Sequence, residues 1–349
     1  NIMAKEKVIK FGKIKIGEDY PPNIIVDLGI NHSGSIDKAI YLVDLALKNG
    51  AKIIKHQTHI PSEEMSVEAK KIIPGNAKVS IYEVIKKSSL SYNHEKKLMN
   101  YINQKGGVFI STPFSKQAVD RLVEFNIPVF KIGSGECNNY PLVEYICKKK
   151  RPVILSTGMN DIKSIKPAVK IIKKFKIPFA LLHCTNIYPT PPKLVRLEAM
   201  QELKKNFPNA IIGLSDHTES IYTSLGAVAL GASIIEKHFT HNKKAKGPDM
   251  TASLDPKDLK DLIEGSKTIY ESLKGPKKAI KEEEKTIAFA FASVSAIKNI
   301  KKNEKLSSEN IFPIRPGNGY YKIKDYKKLI GKKAKKNIVK GHQIKKNDV

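Results

Sequence analysis

The sequence has no tryptophan, only three cysteines, and four arginines (Arg121, Arg151, Arg196 and Arg315) among 62 basic residues. Cys137, Cys147 and Cys184 show no CxxC or other paired spacing. That argues against a disulfide framework, a zinc ribbon and a redox pair, and fits a reducing compartment, so the cytoplasm is the expected location. No run of about 18 apolar residues is present, so no membrane-spanning helix or membrane partner is expected. The first twenty residues carry lysines without the apolar stretch of a secretion signal. Walker loops, GxGxxG turns and nucleophile elbows are missing too, which argues against nucleotide-dependent and serine-hydrolase chemistry. The net charge of +28 invites a polyanion partner. Surfaces dedicated to nucleic acid, however, favour the planar, bidentate arginine that this chain scarcely uses. The lysines are spread over nearly every amphipathic segment, so they read as solvated faces with no specific nucleic-acid partner. Their field would still draw an anionic substrate inward.

What the chain does have is alternation. From Asn23 to about Leu273, short apolar β-branched runs alternate with segments of helical period, the pattern of a parallel sheet covered by helices. Eight strands are predicted: IIVDLG from Ile24, KIIKHQ from Lys52, VFIST from Val108, VFKIGS from Val129, VILST from Val153, FALLHC from Phe179, AIIGLSDH from Ala210 and SIIEKHF from Ser233. Eight is the number that closes a (β/α)8 TIM barrel, the expected α/β fold. Ser35 and Asp161 cap two of the predicted helices, and Gly50 ends the first. The segment from Ser62 to Ser89 exceeds an ordinary connection and reads as a substrate loop. The expected organisation is an N-terminal extension over residues 1–22, the barrel over 23–275, a charged linker over 276–286 and a small β-rich domain over 287–349.

Each predicted strand opens apolar and closes on groups able to do chemistry: Asp27; Lys55 and Gln57; Thr112; Lys131, Ser134 and Glu136; Ser156; His183, Asn186 and Tyr188; Ser215 and His217; Glu236 and His238. All therefore gather at the C-terminal mouth, where barrel enzymes place their sites. Lys55 and Lys131, inside apolar strands, are costly to bury alone. They face either a ligand anion, with Ser134, Ser156 and Ser215 as added donors, or a structural carboxylate (Glu136, Glu236 or Asp27). His217 and His238 end consecutive strands and can converge on a divalent metal, although a lone strand-end histidine is more often structural. His56 and His59 are weaker candidates of the same kind. Asp27, Glu136 and Asp249 are the candidate acid–base groups, with Glu236 supporting His238.

The chain resembles the sialic acid synthase family, specifically bacterial N-acetylneuraminate synthases, in GINHSGS, KHQTH, IPGN, ISTPFS, KIGSGECNNYPL, LSTGMN, HCTNIYPTPP, GLSDHT, EKHFT, GPDMTASLDP and FAFASV. RPGNG and LIGKKA resemble its C-terminal antifreeze-like (SAF) domain. The resemblance implies metal ligation by His217 and His238, with Mn²⁺ foremost and Mg²⁺ or Co²⁺ as alternatives. It implies that Lys55, Lys131, Ser134, Ser156, Asn186 and Ser215 bind phosphoenolpyruvate. Gln57, Asn76, Tyr188, Glu136, Asp249 and Phe289 would meet the sugar, joined by Arg315 from a second copy in a domain-swapped homodimer. Where the family has AEIG, this chain has VDLG, so Asp27 supplies a carboxylate one methylene shorter. The implied reaction joins phosphoenolpyruvate to N-acetylmannosamine. Diacetamido-trideoxy hexoses, giving legionaminic or pseudaminic acid, are the alternative sugars, and a non-catalytic polyanion binder is the rival from another class.

Overall fold

The structure is a computed structural model that describes residues 7–74, 78–245 and 247–349. It divides into two compact units after Lys274. In the first unit a hairpin of β1 (Ile9–Phe11) and β2 (Ile14–Ile16) precedes eight parallel strands: β3 (Asn23–Asp27), β4 (Ile53–Thr58), β5 (Val108–Pro113), β6 (Phe130–Ile132), β7 (Val153–Ser156), β8 (Phe179–Cys184), β9 (Ile211–Ser215) and β10 (Ile234–His238). They pair in sequence order and close, with β10 against β3, into a barrel. Each predicted strand coincides with one of these eight.

Side-chain alternation along each strand sorts residues into two layers. Outward-facing Val26, Ile54, Phe109, Phe130, Leu155, Leu181, Ile212 and Ile235 join the helices in the main core. Inward-facing Ile25, Ile53, Ile110, Val129, Ile154, Leu182, Ile211 and Ile234 fill the barrel's interior at its N-terminal end. The N-terminal extension completes that layer. Ile9, Phe11, Ile14 and Ile16 of the hairpin are buried in the same cluster, so the bottom of the barrel is stoppered by apolar side chains.

Helices form where caps and apolar stripes agree. Ser35 caps Ile36–Lys48, its hydroxyl accepting from Lys38 N, and that helix buries Ala39, Leu42, Val43 and Ala46. Asp161 and Ser164 form a reciprocal capping box for Ile162–Lys174. The long connection after β4 holds a short helix (Pro61–Glu64), a 3₁₀ turn (Val67–Lys71) and the helix Ile81–Ser88, whose N-cap is Ser80.

In the second unit, β11 (Ser293–Ala296) and β12 (Ile311–Ile314) pair antiparallel. Val294, Ala296, Ile300, Leu306, Ile311, Leu329, Ala334, Ile338 and Ile344 make its core. The charged stretch over 276–286 includes the 3₁₀ turn Lys281–Glu283, and the following helix Glu284–Ala290 runs past its expected end. Among the described residues, no helix is long and apolar enough to cross a membrane.

Candidate active site

Mouthward of the apolar layer, the same alternation turns Asp27, Lys55, Thr112, Lys131, Ser156, Cys184, Ser215 and Glu236 inward. These residues, with Gln57, Asn186, His217 and His238, line one cavity of about 290 Å³. Lys55 and Lys131 are each 2% exposed. Lys55 Nζ lies 2.8 Å from Asp27 Oδ2, and Lys131 Nζ donates to Ser156 Oγ at 2.8 Å. Between the two lysines stands Glu236, 3.3 Å from Lys131 and 4.0 Å from Lys55, and it accepts from Ser215 Oγ at 3.0 Å. Its other oxygen, Oε2, is buried without a hydrogen-bond partner among the described residues. The carboxylate partners weighed against a ligand anion are thus present, but they leave acceptor and donor capacity unfilled.

Pairing offsets burial to a different extent in each of these groups. Burial alone would raise the Asp27 carboxyl, but Lys55 and His238 outweigh it and hold the carboxyl below the usual range. Burial would lower Lys55, yet Asp27 and Glu236 lift it above the ordinary lysine value. For Lys131 burial wins: its pKa falls, with Glu236 only partly compensating and Lys55 adding repulsion. An incoming anion would relieve that deficit. Burial also raises the Glu136 carboxyl, against the opposing charge of Lys131.

The imidazoles of His217 and His238 lie with ring centroids 5.5 Å apart, and Tyr188 packs on His217 at 4.1 Å. His217 Nδ1 donates to the Thr185 carbonyl at 3.0 Å, which leaves its Nε2 for another partner. His238 Nδ1 is buried without a hydrogen bond among the described residues; Asp27 Oδ2 stands 3.4 Å away and Asp249 Oδ2 4.0 Å. Among the described residues, no three His, Cys, Asp or Glu side chains converge as a metal cage. The pair therefore suits an ion that takes two protein nitrogens and completes its sphere with substrate or water oxygens.

Two glycines make room for this arrangement. Gly29 has φ +50°, and a Cβ there would meet His238 Nδ1 at 2.8 Å and Asp249 Oδ2 at 3.2 Å. A Cβ on Gly158 would meet Asn186 Oδ1 at 1.8 Å. Gly158 N donates to Ser134 Oγ at 3.0 Å, so the Ser134 hydroxyl keeps its own proton to offer elsewhere.

The cavity gathers Asp27, Glu136 and Asp249, the expected anion-binding Lys55, Lys131, Ser134, Ser156, Asn186 and Ser215, and His217 and His238, whereas His183, expected at the mouth, turns out of the barrel and its Nε2 donates to the Val195 carbonyl. Among the sugar contacts, Gln57 and Tyr188 line it as well. Asn76 lies outside the described residues, and Phe289 and Arg315 belong to the second unit, both with exposed side chains. Two cavity residues were underrated. Glu236, read as a support for His238, bridges the lysines, and Cys184, noted only for its lack of paired spacing, lines the wall. The period-two rule could have placed both. His56 faces away from the cavity, its Nε2 3.7 Å from buried Glu95. Outside the barrel wall, Asp216 accepts from Thr223 at 2.7 Å and Ser224 at 2.6 Å and pairs with Lys237 at 3.4 Å. This bracing sits beside His217 and His238 in sequence and fixes the strand ends that carry them.

Comparison with known proteins agrees with this geometry. Residues 42–278 match the NeuB family and residues 291–349 the SAF domain. An N,N'-diacetyllegionaminic acid synthase of Campylobacter jejuni is 39% identical over 331 residues, 92% of this chain and 98% of that protein. N-acetylneuraminate-9-phosphate synthase of Homo sapiens is 34% identical, covering 76% of this chain and 75% of its own. The crystal structure of N-acetylneuraminic acid (sialic acid) synthetase from Leptospira borgpetersenii matches with a TM-score of 0.73 at 32% identity, covering 80% of this chain and 95% of that one. The closed barrel, its charged mouth and a family match spanning most of the chain agree: this protein belongs to the NeuB family of sugar acid synthases and carries a C-terminal SAF domain.

Proposed function

We propose that this chain condenses phosphoenolpyruvate with the open-chain aldehyde of an N-acylated amino sugar, with N-acetylmannosamine giving N-acetylneuraminate. C3 of phosphoenolpyruvate bonds to the aldehyde carbon, water adds at C2, and the C2–O bond to phosphate breaks. The observation that carries this reading is the pair of buried lysines sharing Glu236, with Ser156 and Ser215 as neighbours. Such a cage suits a small ligand bearing both a phosphate and a carboxylate. Ser134 and Asn186 extend it on the side of Gly158. Asp27 and Asp249, beside His238, can deliver the proton that the new hydroxyl requires. Glu136, which lines the same cavity and whose carboxyl pKa is held above its ordinary value by burial, is the group proposed to take a proton from the attacking water. A divalent metal held by His217 and His238, Mn²⁺ foremost and Mg²⁺ or Co²⁺ as alternatives, would polarise the aldehyde oxygen. Asn76, Tyr188, Phe289 and Arg315 are the proposed sugar contacts.

The test is incubation with phosphoenolpyruvate, Mn²⁺ and N-acetylmannosamine, followed by phosphate assay and mass spectrometry of the sugar acid. Phosphate release that ignores the sugar would remove the reading. The same proposal takes a homodimer as the working unit; full turnover by a species of monomeric mass in light scattering would refute that part. A second sugar class, the diacetamido-trideoxy hexoses, is favoured by the 39% identity to the legionaminic acid synthase. Cytoplasmic residence goes with either sugar.

A further inference from the structure

We infer that His59 and Glu64 form a positioning dyad: together they fix the Gln57 amide and, through it, the Asp27 carboxylate beside His238. The inference rests on the synthase reading above. It gives His59, weighed from the sequence as a weak metal candidate, a different task.

Lys55 and Gln57 on β4 and His59 just beyond it occupy alternate positions, so all three turn to the cavity. Pro61 then opens the short helix Pro61–Glu64, which returns the Glu64 carboxyl to the His59 ring. Glu64 Oε1 lies 2.8 Å from His59 Nδ1, and Glu64 Oε2 accepts from Ile60 N at 3.2 Å. Both side chains of the pair are buried. The imidazole also stacks on Phe114, with centroids 4.2 Å apart and planes 10° from parallel, so the ring is held at its edge and on its face.

Donor and acceptor roles along this chain follow from its inner end. Asp27 Oδ2 receives Lys55 Nζ at 2.8 Å, and a carboxylate can only accept. Gln57 must therefore turn its amide nitrogen to Oδ2, 3.3 Å away, which points Gln57 Oε1 at His59 Nε2, 3.2 Å away. That amide oxygen accepts as well, so His59 must keep a proton on Nε2. A second proton lies between His59 Nδ1 and Glu64 Oε1, whichever atom holds it, because two facing lone pairs would repel at 2.8 Å. Glu64 thus sets the ring, the ring sets the amide, and the amide gives Asp27 Oδ2 a second donor. The same Oδ2 faces His238 Nδ1 at 3.4 Å. A carboxylate there favours the tautomer with its proton on Nδ1, which leaves Nε2 with a lone pair for a metal. An amide free to turn over would present Oε1 to Asp27 and push the carboxylate off that line. With both ring nitrogens engaged, His59 has none to offer a metal itself.

The experiment measures Mn²⁺ binding to the metal-free full chain by calorimetry. It also measures kcat and KM with phosphoenolpyruvate and whichever of the two proposed sugar classes gives the higher rate. His59→Phe keeps the stack on Phe114 and removes both donors. Its Kd for Mn²⁺ is expected to rise about 3- to 10-fold and its kcat to fall about 10-fold, with KM for phosphoenolpyruvate within about twofold of the parent. His59→Gln returns an N–H to the place of Nε2 and should recover most of both losses. Glu64→Gln can accept from Ile60 N and donate to Nδ1, which keeps the ring proton on Nε2, so it should stay near the parent, whereas Glu64→Leu should follow His59→Phe. Equal losses in the Phe and Gln variants of His59 would reduce the dyad to loop packing, and a change confined to KM for the sugar would make His59 a sugar contact. Either result overturns the inference, as does unchanged Mn²⁺ affinity and kcat in His59→Phe, or a parent that binds no Mn²⁺. Should His59→Phe not fold, the Glu64 pair decides: equal values for Gln and Leu would overturn the inference. A parent that binds Mn²⁺ but releases no phosphate with either sugar would remove the synthase reading alone, since the Mn²⁺ comparison still decides the dyad.

Discussion

The two ends of the barrel are made from the same eight strands by the same alternation, and they do opposite things. At the N-terminal end, an inward layer of aliphatic side chains from the eight strands fills the barrel, and the β1–β2 hairpin seals it with Ile9, Phe11, Ile14 and Ile16. At the C-terminal end, the next inward positions bury two lysines, two carboxylates and two imidazoles around open space. The first end gains stability from burial of apolar area. The second end pays desolvation for charges that it only partly pairs, so it holds function at the expense of stability. The difference shows that one backbone rule can produce a stopper or a site, depending only on which residues occupy the inward register.

Changes at each end should separate these roles. The largest effect is expected from His217→Ala at the mouth: metal-supported phosphate release should fall by at least about a hundredfold. An unchanged rate would remove its assigned role. Next is the stopper, where Ile16→Ala deletes a fully buried side chain and should cost about 2–5 kcal/mol in urea unfolding, while leaving KM nearly unchanged. A large KM change with intact stability would break the division between the two ends. Lys131→Met should lower kcat/KM by the value of a charged hydrogen bond, about 1.5–3 kcal/mol, mainly through KM for phosphoenolpyruvate. An effect confined to the sugar's KM would place the anion elsewhere.

The smallest effect concerns pH. Burial raises the Glu136 carboxyl pKa, so the fold favours its protonated form, and stability drops as pH rises from the unfolded carboxylate range through the raised value. Glu136→Gln lacks that loss. It should be slightly more stable than the parent at neutral pH, with the gap closing on acidification, while turnover falls. Parallel pH–stability curves for the two proteins would contradict this.

Much of the fold was legible in the sequence because apolar β-branched runs and helical stripes are local signals. The β1–β2 hairpin was harder to see. Its IKF and IKI runs are three residues each, and their burial depends on a barrel opening that forms from distant segments. The site was legible as a set of strand-end residues, since alternation assigns each to a face. Its wiring was not. That Glu236 bridges both lysines while His59 spends its nitrogens on Glu64 and Gln57 follows from distances between strands and loops, which spacing along the chain does not carry.

The sequence by itself determined the number of barrel strands, the direction in which their polar ends point, and the residues that could meet at the mouth. These follow from period-two and 3.6-residue patterns that any short segment expresses alone. Only the tertiary structure decided which charges neutralise each other and which nitrogens stay free. Closure of the barrel brings residues from eight separate strands within a few ångströms, and at that range pairing and burial set the chemistry of each group.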